Sequence, residues 1–375
     1  MKKIMTVVGA RPQFIKAAAL NRVWRNEYAG KVQELIVHTG QHYDESMSEV
    51  FFREMEIDAP FQVFSAGSGT HGVQTGKMMM DLEALMIAER PDSVLVYGDT
   101  NSTLAGALVA AKANIPVIHV EAGLRSFQRT MPEEINRIVT DHLSTLLFSP
   151  TPLGLENLEK EGMTNATAPF SAVNPGVFQC GDVMYDNALY YGTMEYRPEV
   201  LPFVDKQFVL STIHRDHNTD HPELLRGIVE TLMYLTKESG LEWVLPVHPR
   251  LRKNLAAQPE LLAQLESAEH VHLIEPLGYI GMLQMERLSQ LIVTDSGGVQ
   301  KETYFAEKPC IILRDTTEWA EIVADGKAFL VGADANKISK AFAHVMEMRD
   351  LKWKPLYGDG RAAEKMAAII FDFLK

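Results

Sequence analysis

Cysteine is nearly missing from this chain: Cys180 and Cys310 are the only two in 375 residues. So few thiols give neither a disulfide framework nor a thiolate metal site, and they suit a reducing compartment. A basic excess is missing as well. The formal net charge of −13 argues against nucleic acid or a membrane surface as the main partner. It does not argue against a small anionic ligand, because local clusters decide that. Long apolar runs are absent. The opening MKKIMTVVGARPQF is apolar over too few residues for a signal peptide or a membrane span, and it reads as a first strand of a cytoplasmic protein. No GxGxxG follows a strand-like run, which counts against a dinucleotide-dependent dehydrogenase.

What is present is an alternation of short β-branched runs with helix-length amphipathic segments. The first half offers IMTVVG, ELIVH, SVLVYG, PVIHVE and TLLFSP; the second offers FVLSTIH, WVLPVH, VHLIE, LIVTDS and CIILR. Near-continuous apolar strands separated by helices imply parallel sheets covered on both faces. The series restarts after a turn-rich passage, Asn174 to Pro202, so two Rossmann-like domains are expected rather than one large sheet. Their division is expected at 1–175 and 176–357, with the helical segment 358–375 packing back on the first.

Polar residues gather where these strands end. Gly9-Ala10-Arg11, His38 to His42, Gly98-Asp99-Thr100-Asn101 and Glu121-Ala122-Gly123 do so in the first half, and His214-Arg215-Asp216, His248-Pro249-Arg250, Asp295 to Gly298 and Arg314-Asp315 in the second. In parallel α/β sheets the ligand crevice lies outside the carboxyl ends of the strands. Both halves are therefore expected to address one cleft. Polar loops alone are the plain alternative, and they account poorly for so many His, Arg and Asp residues.

Individual motifs point to a nucleotide. Ser296-Gly297-Gly298 precedes a helix, where free N–H groups and the helix dipole favour an anion, although glycine pairs also make plain turns. Glu302, one turn further on, can accept from ribose hydroxyls. Arg11 and Lys16 sit at the start of the helix opened by Pro12, suited to a diphosphate. GSGTHGVQTGKMM, Gly67 to Met79, fails as a P-loop at His71 and Met78, and is read as a mobile glycine-rich loop. His214, His217 and His221 match no zinc spacing. His214, at a strand exit, suits a phosphate or leaving-group contact, and the other two are expected in solvent. Pro132 opens a helix with Glu133 and Glu134 in its first turn. There the plain account is dipole compensation plus a Glu133–Arg137 pair. It leaves Asp99 and Glu121 unexplained, and several carboxylates around one cleft suit proton abstraction from a weakly acidic carbon.

With GARPQFIK, GDTNSTLAGALVA, HVEAGLR, PEEINR, HR, PVHPR, TDSGGVQKE and LRDTTE in this order, the chain resembles the non-hydrolysing UDP-N-acetylglucosamine 2-epimerases from end to end. The resemblance implies a GT-B-like fold with the active site between two domains, a homodimer, no redox cofactor or metal, and an isomerase serving polysaccharide biosynthesis. It implies inversion of C2, UDP-GlcNAc to UDP-ManNAc, by elimination of UDP to a glycal and re-addition. It assigns Asp99, Glu121, Glu133 and His214 to catalysis. Arg11, Lys16, Arg137, Ser296, Gly297, Gly298, Glu302, Arg314, Leu277, Met282 and Arg129 are assigned to the substrate. A GT-B glycosyltransferase is the rival from another class.

Some positions depart from the family form. GTRPE is GARPQ here, with Gln13; TTERPE is TTEWAE, with Trp319; Met282 replaces an aromatic residue. QHREM, linked to activation by a second substrate molecule, is QHYDE. Together these features resemble the branch acting on UDP-2,3-diacetamido-2,3-dideoxyglucuronate, whose C6 carboxylate Arg129 would pair.

Overall fold

The computed structural model describes residues 1–41, 54–67, 69–194 and 206–375. They form two compact units, Met1–Asn187 with Pro355–Lys375, and Ala188–Lys354.

In the first unit the described strands are β1 (Lys2–Val8), β2 (Val32–His38), β3 (Gln62–Val63), β4 (Ser93–Tyr97), β5 (Val117–Val120), β6 (Leu146–Ser149) and β7 (Gly176–Gln179). They pair in parallel in the order β3-β2-β1-β4-β5-β6-β7. Val94, Leu95 and Val96 are fully buried, as strands covered on both faces require. Met5, Val7 and Val96 pack with Met78, Leu82 and Met86 of the helix His71–Glu89. Each such side chain contributes about 1.5–3 kcal/mol by leaving water. The helix Asn101–Lys112 lies close on the sheet because Gly106 has no side chain; a Cβ there would meet Val96 at 3.2 Å and Val7 at 3.3 Å.

The first unit takes more of the chain than the sequence suggested. Gly176–Gln179 pairs with β6 and closes the first sheet, so the changeover falls near Asn187 and not at 175/176. The C-terminal helix Ala362–Leu374 belongs to this unit: Asp186 accepts from the N–H groups of Ala362 and Ala363, and Met366, Ala367 and Ile370 are buried. A second correction concerns Gly67–Met79, where a regular helix begins at His71.

In the second unit the strands are β8 (Phe208–Thr212), β9 (Glu242–Pro246), β10 (Val271–Ile274), β11 (Leu291–Thr294), β12 (Cys310–Ile312) and β13 (Ala328–Leu330), parallel in the order β10-β9-β8-β11-β12-β13. Trp243 is fully buried in its core and donates to Ser211 Oγ at 2.9 Å. Both sheets thus reverse direction at one place, between β1 and β4 and between β8 and β11. Those are the topological switch points, where α/β sheets bind their ligands.

Candidate active site

At the first switch point, β1 runs through Gly9-Ala10 into the helix Arg11–Glu27. Gln13 fixes that turn. Its Oε1 accepts from the N–H groups of Gly9 (2.8 Å) and Ala10 (3.1 Å), while Nε2 donates to Tyr97 O and Thr103 Oγ1, both at 2.9 Å. The helix then carries Arg11, exposed, and Lys16, whose Nζ lies 2.5 Å from Glu121 Oε1. Glu121 leaves β5 with φ +73°, left-handed backbone that a non-glycine residue adopts at a cost of about 1–2 kcal/mol. Beside this pair is Gly98, φ +63°, where a Cβ would stand 3.1 Å from Lys16 Nζ.

Asp99 follows on from β4 and meets Arg137 of the helix Pro132–Leu143, Oδ2 to Nη2 2.5 Å. Asn136 donates to the Asp99 carbonyl at 2.9 Å. Here the structure corrects the sequence. Arg137 pairs with Glu134, not Glu133: Nη1 lies 2.5 Å from Glu134 Oε2. Glu134 is 1% exposed and also accepts from the N–H groups of Ser126 and Phe127, both at 2.9 Å. It is a buried anchor for the 126–127 loop, while Glu133 is exposed in the first turn. The reason is one residue of helical phase, since the side facing the loop and Asp99 is the side of 134 and 137.

A network that the sequence did not reveal supports these ends from beneath. His119 is 0% exposed, with Nδ1 2.7 Å from Asp141 Oδ1 and Nε2 2.8 Å from the Gly98 carbonyl oxygen. Asp141 Oδ2 meets Arg125 Nη1 at 2.7 Å and accepts from Gly123 N–H at 3.2 Å; Arg125 forks onto Glu161. Burial works against the Asp141 charge, but His119 and Arg125 outweigh it and hold its carboxyl below the usual range. The exits of β4 and β5, which carry Asp99 and Glu121, are thereby joined. The hint available in the sequence was a lone histidine inside an apolar strand.

At the second switch point Asp295 organises the backbone. It is 0% exposed and accepts from the N–H groups of His214 and Arg215, from Asn218 Nδ2 at 3.1 Å, and faces His214 Nδ1 at 3.2 Å. Burial, reinforced by His248, Arg215 and Arg250, holds the His214 ring below the ordinary histidine range despite Asp295. The neutral ring is therefore the favoured form in the free protein. His217 and His221 are exposed.

Ser296 caps the helix Gly297–Phe305. A Cβ on Gly297 would lie 3.6 Å from both Arg215 Nη2 and Arg314 Nη1, so two guanidinium groups flank that helix start. Arg314 forks onto Glu318 at 2.9 and 3.0 Å. Trp319 is 7% exposed and braces the same turn, donating Nε1–H to the Gly297 carbonyl at 2.9 Å, with Lys301 Nζ 4.2 Å from its ring centroid. Gly298 is exposed and Glu302 is 8% exposed one turn in. Leu277 and Met282 are partly buried against Phe208, Leu210 and Ile292. Arg129 is exposed, on the stretch between β5 and the helix Pro132–Leu143. His42 to Glu45, the stretch considered for substrate activation, lie outside the described residues. Among the described residues no cluster of His, Cys, Asp and Glu could hold a metal ion, and no helix is long and apolar enough to cross a membrane.

Two parallel sheets in Rossmann order, one ending in salt-bridged carboxylates and the other in a guanidinium-flanked helix start, define the GT-B-like class of nucleotide-sugar enzymes. The chain belongs to the UDP-N-acetylglucosamine 2-epimerase family, whose model matches residues 25–371. It is 43% identical to a UDP-N-acetylglucosamine 2-epimerase homolog of Methanococcus maripaludis, over 98% of this chain and 99% of the relative. It is also 43% identical to the UDP-2,3-diacetamido-2,3-dideoxy-D-glucuronate 2-epimerase of Pseudomonas aeruginosa, over 97% and 98%. A crystal structure of the Methanocaldococcus jannaschii UDP-GlcNAc 2-epimerase, in complex with UDP-GlcNAc and UDP, is similar with a TM-score of 0.83 and 39% identity, covering 99% of each chain.

Proposed function

We propose that this isomerase inverts C2 of a UDP-2-acetamido sugar, UDP-GlcNAc to UDP-ManNAc. A carboxylate removes the C2 proton while the C1–O bond to UDP breaks. The glycal stays bound, UDP adds back to C1, and a proton reaches C2 from the opposite face. Asp99, Glu121 and Glu133 supply the acid–base groups. Arg11, Lys16, Arg314 and the Ser296–Gly298 helix start hold the diphosphate, and Arg215 joins them on account of its place beside Gly297. Glu302 accepts from the ribose hydroxyls. Leu277 and Met282 line the base and sugar, and Arg137 holds Asp99 in place. His214, neutral when free, takes up a proton beside the diphosphate dianion and returns it to the departing phosphate oxygen.

The observation that carries this reading is the Lys16–Glu121 pair at 2.5 Å beside Gly98. Lys16 is the natural counterion for a diphosphate, so a bound substrate draws it off and frees the Glu121 carboxylate as a base. The test is deuterium exchange at C2 with UDP-GlcNAc in D₂O and no acceptor. Exchange with formation of UDP-ManNAc is expected; a glycosyltransferase would give none, and that result would end the proposal.

The diacetamido uronate is the second reading, favoured by the Pseudomonas aeruginosa relative and by exposed Arg129. Arg129→Ala would then slow the uronate at least tenfold more than the neutral sugar, and equal losses would exclude it. The protein is further read as a cytoplasmic homodimer that supplies activated sugar for polysaccharide assembly. Val73, Met80 and Ile87, spaced by seven on one helix and 53%, 66% and 66% exposed, support a self-complementary apolar contact. Sedimentation of Met80→Lys checks it: the variant is expected to run as a monomer.

A further inference from the structure

One buried acid in the second unit has no part in the scheme above. Glu286, on the helix Tyr279–Leu288, is 0% exposed, and among the described residues neither of its oxygens has a donor to accept from. An ionised carboxylate in that position costs several kcal/mol. Two titratable groups face it. One is Glu302, on the neighbouring helix Gly297–Phe305; the other is Cys310, on β12, whose thiol is itself pushed up to about 12 by burial. Burial first, and then the adjacent Glu302 charge, push the Glu286 carboxyl well above the usual range. Sealed from water with no donor, Glu286 is favoured in its protonated form, and the Glu302 carboxylate beside it can accept the hydrogen bond that this proton offers. Two carboxyl groups sharing one proton is the stable state of such a pair.

We propose that Glu286 is a positioning residue for nucleotide recognition: it donates a hydrogen bond to Glu302 and so aims that carboxylate, one turn inside the Ser296–Gly298 helix start, at the ribose diol. The inference rests on the ribose role given to Glu302 above. It makes two demands of the enzyme. Removing the donor must blur the choice between ribose and its deoxy forms while leaving the diphosphate contacts alone. Removing the proton at alkaline pH must do the same, because two facing carboxylates repel.

Calorimetric titration of the full chain with UDP and with 2′,3′-dideoxy-UDP separates the parts. Wild type is expected to prefer UDP by roughly tenfold or more. Glu302→Ala tests the ribose role: if the preference survives, that role is wrong whatever Glu286 does. Given its loss there, Glu286→Met must lose most of the same preference with unchanged affinity for the dideoxy analogue. Glu286→Gln, which still donates, must restore the preference and flatten the alkaline fall in UDP affinity. A Glu286→Met protein that keeps the full preference overturns the proposal. If that variant does not fold, an alkaline fall in Glu286→Gln equal to that of wild type overturns it instead.

Discussion

The two switch points are built from the same strand order and opposite electrostatics. In the first unit, each of two carboxylates is held against a cation, Glu121 by Lys16 and Asp99 by Arg137. In the second, the one carboxylate at the exit of β11, Asp295, is wholly buried and spent on backbone N–H groups, and what faces outward is a helix start between Arg215 and Arg314. On the function proposed above, the same topology would serve a proton-handling half and an anion-handling half. Only the residues placed just past the strands differ.

The largest effect that could break this division is expected from Glu121→Gln. C2 exchange should fall by about 10²–10⁴, while UDP affinity should hold or rise, since the diphosphate no longer has to draw Lys16 off a carboxylate. Parallel loss of UDP affinity by calorimetry would erase the distinction between the halves. Next in size is Glu34, which serves neither half. Partly buried on β2, its carboxyl is pushed up to about 7, mainly by the loss of water around it. The fold therefore favours its protonated form, and stability falls as pH rises from about 4.5 to 7. Glu34→Gln, whose amide oxygen can still accept from Thr6 Oγ1 or Asn21 Nδ2, should gain about 2–3 kcal/mol at pH 8 and almost nothing at pH 4. Urea melts at the two pH values check this.

Arg314→Met should weaken UDP by roughly tenfold to a hundredfold, the range for hydrogen bonds to charged groups. Single-turnover rates at saturating substrate should stay near wild type; a matching fall in that rate would place Arg314 among the proton-handling groups instead. A smaller effect concerns His214. Its free ring is held below the ordinary range and a diphosphate favours the cation, so UDP binding takes up a proton and tightens as pH falls from 8 to 6. The change should be roughly threefold to tenfold relative to His214→Gln, whose series keeps only the titration of UDP's own terminal phosphate. Smallest is Trp319→Phe, which removes one hydrogen bond to the Gly297 carbonyl and should cost about 1 kcal/mol, roughly fivefold in UDP affinity.

Much of this was legible beforehand because buried parallel strands are written as continuous β-branched runs, and the residues just after them fall at the carboxyl edge. Arg11, Asp99, Glu121, His214 and Ser296 were placed at that edge in this way. What was not legible depended on partners distant in sequence. Helical spacing allows Arg137 to reach either 133 or 134, and only the loop at Ser126 and Phe127, with N–H groups needing an acceptor, decides for Glu134. His119 reads as part of an apolar strand until Asp141, on a helix that comes back over it, is seen at 2.7 Å. The strands β3, β7 and β13 are two to four residues long and carry too little pattern to stand out from loops. The burial of Glu286 has no local sign in the sequence, because nothing near it tells which face of its helix is sealed.

Gln13 has a consequence for anyone wishing to retune the enzyme. One neutral amide fastens the first turn by accepting at one end and donating at the other, so the fastening is indifferent to acidity. Gln13→Glu, the family-like residue, would still accept from Gly9 and Ala10, but would face the Tyr97 carbonyl with an oxygen and could keep that second tie only when carrying a proton. A single isosteric exchange would turn one end of a permanent rivet into an acid-operated latch.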